Sequence, residues 1–173
     1  MSSPRDIFDQ AYADFADAIF RHCAFRLMNR ERGRDLMQET FLRFWLELNK
    51  GTDVLNIRAF LYKIANNLVI DDVRKKKEKS LDELQEAGWD PGEDQTQSMQ
   101  DQMQFREILR VLKDIRPADR ELIVMRFIDG LTPADIAEVL QEAPNTVSVR
   151  LHRAIKDLRT LVNPSGNSLG SSV

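Results

Sequence analysis

The chain has 173 residues, 42% of them hydrophobic and 31% charged, with a formal net charge of −3. That is room for one ordinary domain or two small helical ones, in a composition typical of soluble globular proteins. No apolar run approaches the roughly 20 residues a membrane-spanning helix needs, Met1–Phe8 lacks the apolar core of a signal peptide, and the single cysteine, Cys23, excludes an internal disulfide, so a reducing cytoplasm is the expected location.

The first segment, from about Ile7 to Met28, carries Phe8, Tyr12, Phe15, Ile19 and Cys23 at helical spacing. Over 35–48 the set Leu36, Met37, Thr40, Phe41, Phe44, Trp45 and Leu48 repeats in the same way. Over 57–74 the set is Ile57, Phe60, Leu61, Ile64, Ala65 and Leu68, with Asn56 placed as a helix cap. No strand alternation stands against these helices. Three helices before residue 78 are enough to bury one compact core.

Residues 78–104 break the pattern. Gly88, Pro91 and Gly92 lie among acids and glutamines, with few apolar residues to offset the entropy of ordering. Eight acids against Lys79 give this stretch a net −7, while 1–77 nets +3 and 105–173 nets +1. The acid is therefore local, and the whole-chain charge is a poor guide to phosphate binding elsewhere. The stretch reads as a flexible acidic linker whose ends fray into the flanking helices. Beyond it, Phe105–Ile115 and Ala118–Ile128 read as two more helices, with Pro117 suited to a first turn. The Ser/Gly-rich end, 163–173, is expected to be disordered. The expected fold is all-α: a helical domain over 1–77, a linker over 78–104 and a second helical domain over 105–162.

The sharpest local signal spans 131–159. Thr132-Pro133-Ala134-Asp135 has the form of a capping box with proline in the first turn. Ile136, Ala137, Val139 and Leu140 supply a buried side, Gln141–Ala143 a brief turn, and Pro144 restarts a helix whose apolar face is Val147, Leu151, Ala154, Ile155 and Leu158. Two short helices joined this tightly describe a helix-turn-helix. The outer face of its second helix carries Asn145, Ser148, Val149, His152, Arg153 and Lys156. Arg150, Arg153, Lys156 and Arg159 against Asp157 leave a net +3 for phosphates. An ordinary helical hairpin with a solvated basic face has the same periodicity.

Two further runs, with the helix-turn-helix, carry a family resemblance. Asp35-Leu36-Met37-Gln38-Glu39-Thr40-Phe41-Leu42-Arg43-Phe44-Trp45 resembles region 2.2 of bacterial sigma factors. Phe60-Leu61-Tyr62-Lys63-Ile64-Ala65-Asn66-Asn67-Leu68-Val69-Ile70-Asp71-Asp72-Val73-Arg74 resembles regions 2.3 and 2.4 in the small extracytoplasmic-function group. Asp135-Ile136-Ala137 and Asn145–Ala154 are similar to region 4.2. The three matches are collinear and span about residues 5–162. The resemblance implies a dissociable RNA polymerase subunit that binds core polymerase, selects promoter minus-thirty-five and minus-ten elements and helps to open them.

The residues the resemblance points to also have a physical reading. Asp35, Gln38, Glu39 and Leu42 share one helix face; the resemblance implies that it docks the polymerase's largest subunit, and a solvated face with a stray leucine fits the same spacing. Lys63, Asn66, Asn67, Ile70 and Arg74 share a face of the next helix, suited to unpaired bases and phosphates. Phe60 and Tyr62 are candidates for stacking on bases, although the spacing of Phe60 also suits the core. Arg74-Lys75-Lys76-Lys77 ends that helix, where cations equally complement a helix C-terminus. The resemblance assigns Phe60, Tyr62, Lys63, Asn66, Asn67, Ile70, Arg74, Lys75, Lys76 and Lys77 to the minus-ten element. It assigns Asn145, Thr146, Ser148, Val149, Arg150, His152, Arg153 and Lys156 to the minus-thirty-five element. It implies that the acidic linker threads the polymerase channel; a solvated tether needs the same composition.

One departure concerns the turn. The family carries a glycine, an apolar residue and a serine cap where this chain has Gln141, Glu142 and Ala143, which leaves the register of the recognition helix open by a residue or two. No catalytic constellation, phosphate-cradling glycine loop, cofactor site or metal site is expected. His22, Cys23 and the distant His152 are too few soft ligands for zinc, and Cys23 reads as a small buried hydrophobe. Two rival functions share the sequence: a sigma-like mimic that titrates an anti-sigma factor, and a free-standing helix-turn-helix regulator. The Gln38-Glu39 face and the Arg74–Lys79 basic run favour a working factor, for which an anti-sigma protein is a further candidate partner.

Overall fold

The structure, a computed structural model, describes residues 1–82 and 99–164. All regular structure among them is helical. In chain order the helices are α1 (Pro4–Leu27), α2 (Arg30–Asn49), α3 (Ile57–Asp82), α4 (Met99–Lys113), α5 (Pro117–Ile123), a π-helical turn (Val124–Ile128), α6 (Pro133–Leu140) and α7 (Pro144–Val162). The chain divides into two compact units, one built on α1–α3 and the other on α4, α5, the π turn, α7 and the start of α6. Helix runs into the acidic stretch from both sides, to Asp82 and from Met99. The rest of the expected linker, 83–98, and the tail from 165 onward lie outside the described residues.

In the first unit α1, α2 and α3 pack on one another. Ser3 and Asp6 form a capping box ahead of α1: the Asp6 amide donates to Ser3 Oγ at 3.2 Å and the Ser3 amide to Asp6 Oδ2 at 3.0 Å. Met28 turns left-handed at φ 55° to end α1, and Asn29 Oδ1 then accepts from the Arg32 amide to cap α2. Gly33 permits the close α1–α2 approach, since a Cβ there would lie 2.6 Å from the Ala24 Cα. Phe8 and Tyr12 of α1 meet Phe41, Phe44 and Trp45 of α2, and Phe60 of α3 joins Phe44 at 6.1 Å between centroids. Cys23 is fully buried, as its reading as a hydrophobe requires.

In the second unit the Arg120 guanidinium donates to the Leu112 and Ile115 carbonyls, satisfying acceptors at the end of α4. The sequence predicts one α-helix over Ala118–Ile128; instead α5 stops at Ile123 and the chain widens into a π turn. Leu122, Ile123, Val124 and Met125 are all buried, a consecutive run that no single helix face can hide, while Phe127 on the same turn is 58% exposed. Gly130, at φ 68°, closes it. Among the described residues no helix is long and apolar enough to cross a membrane.

Candidate nucleic-acid interface

Helix α2 buries Leu36, Thr40, Phe41, Phe44 and Leu48 and turns Asp35, Gln38 and Leu42 outward, with Glu39 half-buried beside them. The Thr40 hydroxyl is hidden because it donates to the Leu36 carbonyl at 2.7 Å. On the outer face Glu39 pairs with Arg43 at 3.0 Å and Asp35 with Arg32 at 3.4 Å, exposed pairs that hold little stability. Leu42 is 51% exposed, and so is Leu46 one turn further on. Leu46 thus extends the apolar part of this face; its i+4 spacing from Leu42 is the signal that could have found it.

Helix α3 starts on the Asn56 cap, whose Oδ1 accepts from the Ala59 amide at 3.0 Å. Its buried stripe runs through Leu61, Tyr62, Ala65, Asn66, Leu68 and Val69. This stripe is rotated by roughly one residue's 100° from the one that the apolar periodicity gives. Tyr62 and Asn66 therefore sit inside the protein rather than on the expected nucleic-acid face. Tyr62 meets the His22 ring edge-on at 5.4 Å, and Asn66 Oδ1 accepts from the Arg26 guanidinium at 2.6 Å, joining α1 to α3. Phe60 is half-buried against Phe44.

The opposite side of α3 presents Asn67, Ile70 and Arg74, all exposed, with Lys63 half-buried at its edge, and the exposed lysines 75–77 follow around the helix. Ile70 is an exposed apolar residue among them, with Val73 beside it. Arg74 is held by Asp71 at 3.0 Å. Asp72 turns back to Arg32 of α2, and that hydrogen bond, the largest effect on the guanidinium, raises its pKa above the ordinary arginine value. The sequence does not single out Asp72, although it adjoins the basic run.

The helix-turn-helix opens as its capping box requires, with the Asp135 amide donating to Thr132 Oγ1 at 3.2 Å and the Thr132 amide to Asp135 Oδ2 at 3.0 Å. The turn that departs from the family's pattern keeps the conformation that glycine usually supplies: Gln141 is left-handed at φ 55°. Ala143 leads into α7 without a side-chain cap, and Pro144 fills the first turn, where its missing N–H costs nothing. Val147, Leu151 and Ala154 are buried, and α7 packs on α5. Asn145, Thr146, Ser148, Val149, His152, Arg153 and Lys156 are exposed.

Arg150 is the exception on this helix. Its side chain is 28% exposed and its Nη1 donates to both oxygens of Glu142, at 2.6 and 2.8 Å, while Nη2 reaches Glu121 at 3.3 Å. Burial works against its charge, but the two carboxylates more than offset it and hold its pKa above the ordinary value. Glu121 and Glu142 escape sequence reasoning, because nothing in spacings of 29 and 8 residues signals a shared partner. Among the described residues no group of three or more His, Cys, Asp or Glu side chains is placed to hold a metal ion.

Family models described as "Sigma-70 region 2" and "Sigma-70, region 4" match residues 11–79 and 105–158. The ECF RNA polymerase sigma factor SigW of Bacillus subtilis is 28% identical over 90% of this chain and 88% of its own length. SigL of Mycobacterium tuberculosis is 25% identical over 90% and 88%. SigE of Mycolicibacterium smegmatis is 30% identical, but this chain spans only 60% of its length. Of solved structures, the sigma factor RpoE of Bartonella quintana, in complex with the anti-sigma factor NepR, aligns with a TM-score of 0.74 and 21% identity over 91% of this chain and 98% of that one. CnrH in complex with the cytosolic domain of CnrY aligns at 0.68 and 21%, over 91% and 88%. At these identities the two structures bear on the fold.

Proposed function

Because this chain belongs to the extracytoplasmic-function sigma factors of the sigma-70 superfamily, and so to the transcription-initiation factors, we propose that it divides the work of initiation among three of its surfaces. Residues 1–77 form the region 2-like domain and 105–162 the region 4-like domain, with 78–104 joining them. Asp35, Gln38, Glu39 and Leu42, extended by Leu46, dock core RNA polymerase. Lys63, Asn67, Ile70, Arg74 and the lysines 75–77 engage the minus-ten element as its strands part. Asn145, Thr146, Ser148, Val149, His152, Arg153 and Lys156 bind the minus-thirty-five duplex. Tyr62 and Asn66 leave this scheme as core residues, and Phe60 supports the face from behind.

The observation that carries the reading is that both nucleic-acid faces point away from the cores of their own units, while the side chains behind them are buried or paired. Exposed amides and cations beside Ile70 suit splayed bases and backbone, and exposed polar side chains near the start of α7 suit base edges in a major groove. The chemistry of RNA synthesis belongs to the polymerase, and the factor acts in the cytoplasm. An anti-sigma partner belongs to the reading, since RpoE and CnrH were each solved with a partner bound, an anti-sigma factor in the case of RpoE. A mimic that only titrates such a partner needs no outward nucleic-acid face.

In vitro transcription with bacterial core polymerase and a promoter library tests the assignment. The full chain directs transcripts from a restricted promoter set, and Glu39→Lys abolishes them by weakening assembly with core. Assembly without any promoter-specific transcript would favour the mimic.

A further inference from the structure

The minus-thirty-five assignment of Arg150 comes from the family resemblance and from its place in a basic run, and the structure gives this residue different work. We propose that Arg150 is a positioning residue that fixes the recognition helix through Glu121 and Glu142, and that it contributes to sequence discrimination without touching DNA. The inference rests on the reading of α7 as the minus-thirty-five helix.

Three observations carry it. First, the guanidinium is engaged from inside: Nη1 donates to both oxygens of Glu142 and Nη2 to Glu121, so two carboxylates more than balance one cation. A side chain so paired offers little net charge for releasing counterions from DNA. Second, the two acids come from different places. Glu142 lies in the turn before α7 and Glu121 in α5, the helix on which α7 packs. Arg150 thus ties the recognition helix to the turn that launches it and to the helix behind it. Third, the turn lacks the usual means of fixing such a helix start. Ala143 provides no side-chain cap, and a non-glycine residue, Gln141, holds the left-handed position. A fork that accepts two partners in fixed geometry supplies the missing constraint, which lysine's single ammonium cannot reproduce.

Phosphate contact and positioning predict opposite outcomes for the same substitutions. If Arg150 bound phosphate, Arg150→Lys would keep the contact, and Glu142→Gln would free the guanidinium and tighten binding. If it positions the helix, both variants blur base readout while phosphate contacts elsewhere persist.

The experiment uses the full chain assembled with bacterial core polymerase, and 30-base-pair duplexes enriched by the wild-type complex from a randomised library. Affinity for an enriched duplex and for its scrambled counterpart is measured from 50 to 200 mM salt. Expected for Arg150→Lys and Glu142→Gln is a roughly tenfold fall in the enriched-to-scrambled ratio, with affinity for the scrambled duplex and its salt slope unchanged. In Arg153→Ala the slope falls by about one, with similar losses on both duplexes. Circular dichroism verifies folding, and Glu142→Gln, which keeps an acceptor toward Arg150, is the variant to follow if Arg150→Lys melts early. A ratio that Arg150→Lys preserves, or that Glu142→Gln raises, overturns the inference and leaves the promoter-binding reading in place. Failure of the wild-type complex to enrich any sequence overturns both.

Discussion

Helices α3 and α7 both present a polar, basic face, and they hold it in place by different means. Behind α3 the support is mostly packing: the aromatic cluster of Phe8, Phe41, Phe44 and Phe60, and the α1–α2 crossing at Gly33, with Arg26–Asn66 and Arg32–Asp72 as polar ties. Behind α7 the apolar stripe is narrow, Val147, Leu151 and Ala154, and charge carries more of the orientation through Glu121, Arg150 and Glu142. A basic residue's place in the sequence therefore does not say whether its charge faces a ligand. On α7, Arg150 and Arg153 are three residues apart, and one is consumed internally while the other is exposed. On α3, Asn66 is buried and Asn67 is exposed, a separation that 100° of helical phase produces.

Phe44→Ala removes a fully buried ring on which Phe8 and Phe60 also lean, and should cost about 3–5 kcal/mol in denaturant unfolding. A cost under about 1 kcal/mol would mean that packing does not hold the α3 unit. Gly33→Ala places a methyl against Ala24 and should cost about 1–3 kcal/mol by forcing α1 and α2 apart. Thr132→Ala, which removes the cap of α6, should cost about 1 kcal/mol, seen as a lower thermal midpoint. Glu39→Lys should change stability by less than about 0.5 kcal/mol, because its pair with Arg43 is exposed, yet it should sharply weaken association with core polymerase. A large stability loss with normal association per folded molecule would make Glu39 a structural residue.

Much of this fold is legible in the sequence because its punctuation is local. Asn56, Thr132 with Asp135, Pro117 and Pro144 each mark a helix start through the chemistry of a few neighbouring residues, and the structure uses each as expected. The π turn at Val124–Ile128 is not legible, since no local residue signal marks where the helix widens. The site divides in the same way. The faces through Gln38, Leu42, Asn67, Ser148 and Val149 follow from periodicity. The burial of Tyr62 depends on His22, that of Asn66 on Arg26 and that of Arg150 on Glu121, partners 29 to 40 residues away. Apolar periodicity alone places the α3 stripe a residue out of phase because it cannot count a tyrosine and an asparagine as interior.

On the proposed division of work α3 and α7 act at different steps, one opening the promoter and the other recognising the duplex. Permanganate footprinting of unpaired thymines tests it most directly, on a promoter selected by the wild-type complex, with Asn67→Ala compared against Ser148→Ala. The account predicts that Asn67→Ala binds the duplex normally and leaves thymines near the start site unreactive, whereas Ser148→Ala opens whatever promoter it still binds and shifts which minus-thirty-five sequences it prefers. Normal opening by Asn67→Ala, together with an unchanged sequence preference in Ser148→Ala, would contradict it.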